Sequence, residues 1–348
     1  LVSQSFEQST IDVETSSISQ FSSSPGIPVV IAKSLDEALK NSPAPADIAL
    51  EQNISLGEKS RALTPSVGMS AGQNGAISSV TIRPHTGWHA LDIRELYAYR
   101  DLFGFLILRE IKVRYAQSAI GIGWALLQPL FAMLVFTVVF GRFAKITSDG
   151  VPYALFSIIG LVPWMYFSNA VTDGVNSLIT NANMLSKVYF PRLLIPLAAV
   201  AARIVDLCVA SSIVMLMLIG FQVAPNLNLI AFPWLCAIMV ISAGGVSLWL
   251  ASIAIQYRDV KHALSFIIQI LLYSAPVVYP ASCVPESYQV IYAINPMVGV
   301  IEGLRSGLLG TREFPWMHVL VGTCSALLLA VSGAFYFSRK QRLFADVA

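Results

Sequence analysis

Ionisable side chains are scarce inside the apolar stretches of this sequence, and the clearest two within one helical turn of each other are Arg203 and Asp206. Their i, i+3 spacing permits a local ion pair on a helix. In a membrane segment such a pair either neutralises itself near a helix end, the reading the spacing favours, or contacts an anionic substrate or a partner helix. No run of carboxylates or histidines accompanies it, so a proton relay finds no support. The four histidines, His85, His89, His262 and His318, form neither an HExxH motif nor a His followed four residues later by Asp. Zinc-protease and membrane-acyltransferase chemistry are therefore disfavoured. No Gly is followed by Lys anywhere, so the chain has no GxxxxGK[ST] phosphate loop and cannot hold a nucleotide by that route. Cys208, Cys236, Cys283 and Cys324 have the spacing of neither a disulfide framework nor a zinc site and are expected as small buried apolar residues. No metal site is predicted.

Other candidates are polar or aromatic positions in apolar surroundings. Gln128-Pro129 lies in the first long apolar stretch, where proline removes one backbone donor. The freed carbonyl either meets a polar ligand or water, or belongs to a tolerated kink. Tyr153, Phe156, Trp164, Tyr166 and Phe167, with Tyr273 and Tyr279, gather toward one membrane face. Such rings stack on sugars, although anchoring at the interface is the commoner role of any single one. Two connections, 176–196 (NSLITNANMLSKVYFPRLLIP) and 255–262 (IQYRDVKH), combine polar residues with Met184, Leu185, Val188, Tyr189 and Phe190. Those apolar side chains would be exposed without a docked partner.

The elements that must position these residues follow from composition. Of 348 residues, 55% are hydrophobic and 12% charged, with net charge +2. That charged fraction is about half the usual for a soluble domain, and the mean hydropathy is +0.68. Residues 1–87 are rich in Ser, Ala, Gly and Pro and show neither a secretory signal nor the makings of a core, which predicts a disordered cytoplasmic extension. Over 88–116, Ile93, Leu96, Tyr99, Phe103, Leu106 and Ile111 recur at helical spacing among Arg109, Lys112, Arg114 and other charges. This predicts an amphipathic helix lying in the membrane surface.

Six apolar stretches then follow within 117–348, at 119–140, 151–171, 193–221, 229–255, 263–279 and 316–337. Each approaches or exceeds the roughly 20 residues that cross hydrocarbon. The fold class expected is an all-α membrane protein of six transmembrane helices. Lys and Arg concentrate on one side of the spans (Arg109, Lys112, Arg114, Lys187, Arg192, Arg258, Lys261, Arg339, Lys340, Arg342), against Arg142, Lys145, Arg305 and Arg312 on the other. The positive-inside rule puts both termini in the cytoplasm. The apolar segment between the fifth and sixth stretches then lies outside and predicts short half-helices that re-enter the outer leaflet.

Several separate motifs in order resemble the permease subunits of type-2 ABC exporters, in the branch that exports O-antigen, capsular polysaccharide and teichoic acid chains. They are LILREIKVRYAQSAIGIGWALLQPL (106–130), FTVVFGRFA (136–144), QYRDVKHAL (256–264), INPMVGVIEGLRSGLL (294–309) and FSRKQRLFADV (337–347). The resemblance implies a homodimer in the bacterial inner membrane, served by two copies of a separate ATPase subunit that binds the ATP and Mg. This chain itself would bind no cofactor and no nucleic acid. It implies an interface helix carrying Arg109, Lys112 and Arg114, and a coupling region at Asn183, Met184, Lys187 and Tyr189, with Arg258 and Asp259 beside the ATPase. A translocation path past Gln128, Pro129, Trp164, Tyr166 and Tyr273 would carry a lipid-linked glycan. The alternatives are an exporter of lipid or drug, for which the 141–151 connection is too short to hold the expected outer domain, and an integral-membrane glycosyltransferase or acyltransferase, which would need a carboxylate or His cluster.

Overall fold

Helix is the only regular secondary structure among the described residues, as expected of a backbone that must satisfy its own N–H and C=O groups in hydrocarbon. The structure is a computed structural model that describes residues 97–340 except 117, 119, 182, 183, 185–189, 258 and 311. These fall within one compact unit, Arg83–Ala348. The expected extension and the first part of the expected interface helix lie outside the described residues.

The first helix, α1, is Arg100–Tyr115. A 3₁₀ turn at Gly121–Gly123 leads into α2, Trp124–Phe136, which continues as a π-helix over Thr137–Phe143. Next come α3, Tyr153–Thr180, and α4, Leu194–Ala202, with α5, Ile204–Gly220, continuing the line of α4 after a hitch at Arg203. A 3₁₀ turn at Leu227–Ala231 opens α6, Phe232–Gln256. After α7, Val260–Tyr273, come two short helices, α8, Gln289–Ala293, and α9, Pro296–Leu309, and then α10, Trp316–Lys340.

Among the described residues, five helical stretches are long and apolar enough to cross a membrane: Gly121–Phe143, Tyr153–Thr180, Leu194–Gly220, Leu227–Gln256 and Trp316–Lys340. The sixth expected span differs. Its stretch is helical only as α7, whose 14 residues rise about 21 Å against roughly 30 Å of hydrocarbon. Pro276 supplies the reason, because it lacks an N–H and pushes Ala275 out of the helical region. The Ser274 N–H closes the last turn on Ile270. Ala275 and Val277 are nevertheless fully buried, so the chain continues inward without a helix.

The long helix α3 forms the centre, with most of its apolar side chains buried against α2, α5, α6 and α9. α6 and α10 lie backbone to backbone: a Cβ on Gly245 would come within 2.6 Å of Ala330 N, and one on Gly333 within 2.6 Å of the Gly245 carbonyl. Small residues permit this approach where packing rather than water expulsion drives helix association. All 14 residues of α9 are buried, and local signals define both its ends. Asn295 accepts a hydrogen bond from Met297 N at 3.1 Å, Pro296 occupies the first turn, and Gly310 closes the helix at φ 64°. The cysteines depart from expectation: Cys208, Cys283 and Cys324 are exposed and Cys236 is half-buried. An apolar run in a membrane protein includes lipid-facing positions, so it does not imply burial in protein.

Candidate functional site

The charged residues of α1 reach two places near the Thr180 end of α3. Arg109 donates to the Asn181 side-chain carbonyl, to Met184 Sδ at 3.3 Å and to Glu110 at 3.0 Å. One guanidinium thus ties the expected interface helix to Met184 of the expected coupling region, 75 residues away. One turn further on, Arg114 meets Asp173 at 2.7 Å and Asp206 at 3.4 Å, while Arg203 meets the same two carboxylates at 2.7 and 2.8 Å. The Tyr115 hydroxyl also donates to Asp206. Lys112 is exposed.

The expected Arg203–Asp206 pair is therefore present, but as half of a four-membered ring of charges joining α1, α3 and the α4–α5 junction. Two guanidiniums and two carboxylates sum to zero, as partly dehydrated charge must. Burial, and secondarily the Arg203 guanidinium, pull the Arg114 pKa below the ordinary arginine value, against the opposing carboxylates. Arginine remains protonated at physiological pH even so. Asp173 and Tyr115 were missed in the sequence. A lone carboxylate in the apolar stretch 153–180 was the available signal, but nothing local names partners 30 and 59 residues distant.

Beside this ring lies a cavity of about 230 Å³ between α2, α3 and α5. Its wall includes Arg114, Arg203 and Asp206 together with Gln128, Pro129 and Tyr166. The helix runs unbroken through Pro129, and because proline has no N–H, the Ala125 carbonyl on the same cavity wall loses its i+4 donor. Tyr166 donates to the Val200 carbonyl at 3.3 Å, and Gln128 is exposed. The cavity can thus offer cationic, amide and carbonyl groups to a polar ligand.

Other expected site residues lie elsewhere. Trp164 is 4% exposed and packs on Phe167 within the core. Tyr273 ends α7 and is exposed, and Asp259 precedes that helix, its carbonyl accepting from His262 and Ala263. Asn183, Lys187, Tyr189 and Arg258 lie outside the described residues. α1 also carries apolar side chains on two sides: Leu106 enters a cluster with Leu178, Leu194 and Phe337, whereas Phe105, Leu108 and Val113 are exposed. No group of three or more metal-ligating side chains occurs among the described residues.

A largely helical bundle with several apolar helices of spanning length, holding two guanidiniums and two carboxylates in one internally neutralised ring, has the architecture of a helical membrane protein. Residues 101–309 match the family described as ABC-2 type transporter, and the chain belongs to that family. It is similar to the O-antigen export system permease protein RfbA of Myxococcus xanthus, at 26% identity over 253 residues covering 72% of this chain and 96% of that protein. A protein of the same description from Klebsiella pneumoniae is 26% identical over 262 residues, covering 74% of this chain and all of the relative. The polysialic acid transport protein KpsM of Escherichia coli is 23% identical over 207 residues, covering 59% of this chain and 80% of that protein.

Proposed function

We propose that this chain is the transmembrane subunit of an ATP-driven exporter that moves a lipid-linked polysaccharide across the bacterial inner membrane. The observation that carries this reading is the likeness, over nearly their whole length, to permeases named for O-antigen export. The active unit is a homodimer, and two copies of a separate ATPase subunit supply the hydrolysis. Large apolar surfaces left uncovered on the first span (Phe131, Leu134, Val135) and on α7 (Phe266, Ile270) suit a second copy as well as lipid. α7 completes six spans, α1 is the interface helix, and α8 and α9 re-enter from the outer side. The Thr180 end of α3 faces the cytoplasm, as do both termini.

In this reading the coupling residues Met184, Asn183, Lys187 and Tyr189, with Arg258 and Asp259, receive the ATPase. Arg109 carries its movement into α1, and Arg114 into the charge ring beside the cavity. Gln128, the Ala125 carbonyl and Arg203 then face the polar part of the substrate, with Trp164 and Tyr273 contributing as the bundle opens. The test is co-purification with the ATPase encoded nearby and ATP turnover in reconstituted membranes. Met184→Asp and Lys187→Glu are expected to lower turnover at least tenfold, about 1.4 kcal/mol of coupling. A chain that recruits no ATPase, and instead turns over a lipid-linked sugar alone, overturns the reading in favour of a membrane enzyme.

A further inference from the structure

A second polar site lies at the opposite end of α3. The rise of a helix puts Phe156 about 26 Å from Asp173 along α3, on the extracytoplasmic side in the orientation proposed above. Here Arg305 of α9 is 4% exposed and Glu302 is 8% exposed. Arg305 Nη1 donates to Glu302 Oε1 at 3.0 Å, Nη2 donates to the Val277 carbonyl at 3.1 Å, and the guanidinium lies 3.6 Å from the centre of the Phe156 ring. Gly160 makes the arrangement possible, since a Cβ there would sit 2.8 Å from Arg305 Nη2. Glu302 Oε1 also accepts from Ala281 N at 3.2 Å, fixing the chain after α7. These contacts explain why an arginine is held inside the bundle, but they do not use all of it.

Among the described residues Arg305 Nε has no hydrogen-bond partner, and neither does His318 Nε2, although both atoms are buried. Both residues line a cavity of about 510 Å³, within the ~300–1,000 Å³ range of small-ligand sites. Buried polar atoms without partners are uncommon and point to an absent water or ligand. At the mouth, Asp149 is paired with Arg312 at 2.9 Å. Glu286 and Glu313 also line the cavity and have no ion pair among the described residues. Four carboxylates against two guanidiniums leave two excess negative charges, His318 aside. An anionic ligand is therefore disfavoured, whereas a neutral polyol can donate to the carboxylates and accept from guanidinium and imidazole.

We propose that this cavity binds one neutral pyranose unit of the transported glycan on the extracytoplasmic side. The choice of a sugar and the extracytoplasmic placement rest on the exporter reading and its orientation; the polarity of the site does not. A strand of glycan held here resists slipping back while the cytoplasmic side reloads.

Cys283 lines the same cavity and is exposed, which supplies a reporter. In the complex with its ATPase in nanodiscs, with Cys208→Ala, Cys236→Ala and Cys324→Ala, the rate of Cys283 alkylation by a polar maleimide is measured. The probes are D-mannose, D-galactose, L-rhamnose, D-glucuronate and inorganic phosphate at about 10 mM, tenfold above a millimolar site. At least one neutral sugar is expected to slow alkylation several-fold. Glucuronate and phosphate are expected to have no effect. Glu286→Gln with Glu313→Gln, both exposed and so without a folding burden, is expected to weaken sugar protection about tenfold and to admit glucuronate. No protection by any neutral sugar, protection by the anions alone, or protection unchanged in the double variant each overturns the proposal. Export of polymer by cells, followed separately, distinguishes the two ideas: normal export without protection removes the site and leaves the exporter, and protection without export does the reverse.

Discussion

Replacing Asp173 by Asn is the most informative single perturbation, because that carboxylate is shared by two guanidiniums at 2.7 Å each. Removing it leaves Arg114 and Arg203 facing each other across Asp206 alone, and the ring changes from neutral to a charge of plus one. Fully buried pairs lose about 3–5 kcal/mol when one partner is removed, and exposed pairs about 0–1 kcal/mol. The four side chains are 16–28% exposed, so the cost should fall between these limits, about 1–3 kcal/mol. Arg203→Gln alone should cost a similar amount by stranding a carboxylate. The double variant restores neutrality, so its loss should be smaller than the sum of the two by about 1–2 kcal/mol of coupling. The assay is a double-mutant cycle on the purified protein in detergent, read as the fraction of monodisperse protein surviving graded denaturation. Additivity within about 0.3–0.5 kcal/mol, the range seen for independent sites, would refute the claim that these residues act as one unit.

Three further outcomes follow from the same contacts. Gly160→Ala should destabilise by about 1–3 kcal/mol through overpacking, since its Cβ meets Arg305 Nη2 at 2.8 Å and Val277 Cα at 3.4 Å; a thermal-stability shift near zero would mean that Arg305 moves freely. Arg109→Ala removes the bridge from α1 to Asn181 and Met184, so ATP turnover in the reconstituted complex should become uncoupled from export, the ratio of ATP used per polymer rising about tenfold for ~1.4 kcal/mol of lost coupling; an unchanged ratio removes Arg109 from that role. Pro129→Ala returns an N–H to the helix and a partner to the Ala125 carbonyl, so the protein should gain about 0.5–1.5 kcal/mol of stability while export slows, and a variant that exports at the wild-type rate shows that the carbonyl is not used.

Much of the architecture was legible because its causes are local. The membrane class, the starts of the long helices to within a few residues, and the caps of α9 at Asn295-Pro296 and Gly310 all follow from short-range hydropathy and turn chemistry. The fifth apolar stretch was read too long because hydropathy continued past Pro276 after helical backbone had stopped. Arg305 reads in the sequence as an outer-side charge and nothing there marks its i, i+3 partner Glu302, because the expectation of short re-entrant half-helices does not say that α9 is buried on every side.

What the sequence determined by itself is the solvent, the secondary structure, the lack of a phosphate loop and the motif order that marks the family. What only the tertiary structure decided is which helix faces meet. Lipid tails are as apolar as leucine, so hydropathy inside a span does not separate a lipid-facing position from a protein-facing one. That is why Cys208 and Cys324, in apolar runs, proved exposed and Trp164 proved to be core. It is also why Arg114, Asp173, Arg203 and Asp206, spread over 92 residues between the first and the last, show themselves as one charge ring only after α1, α3 and the α4–α5 junction have packed together.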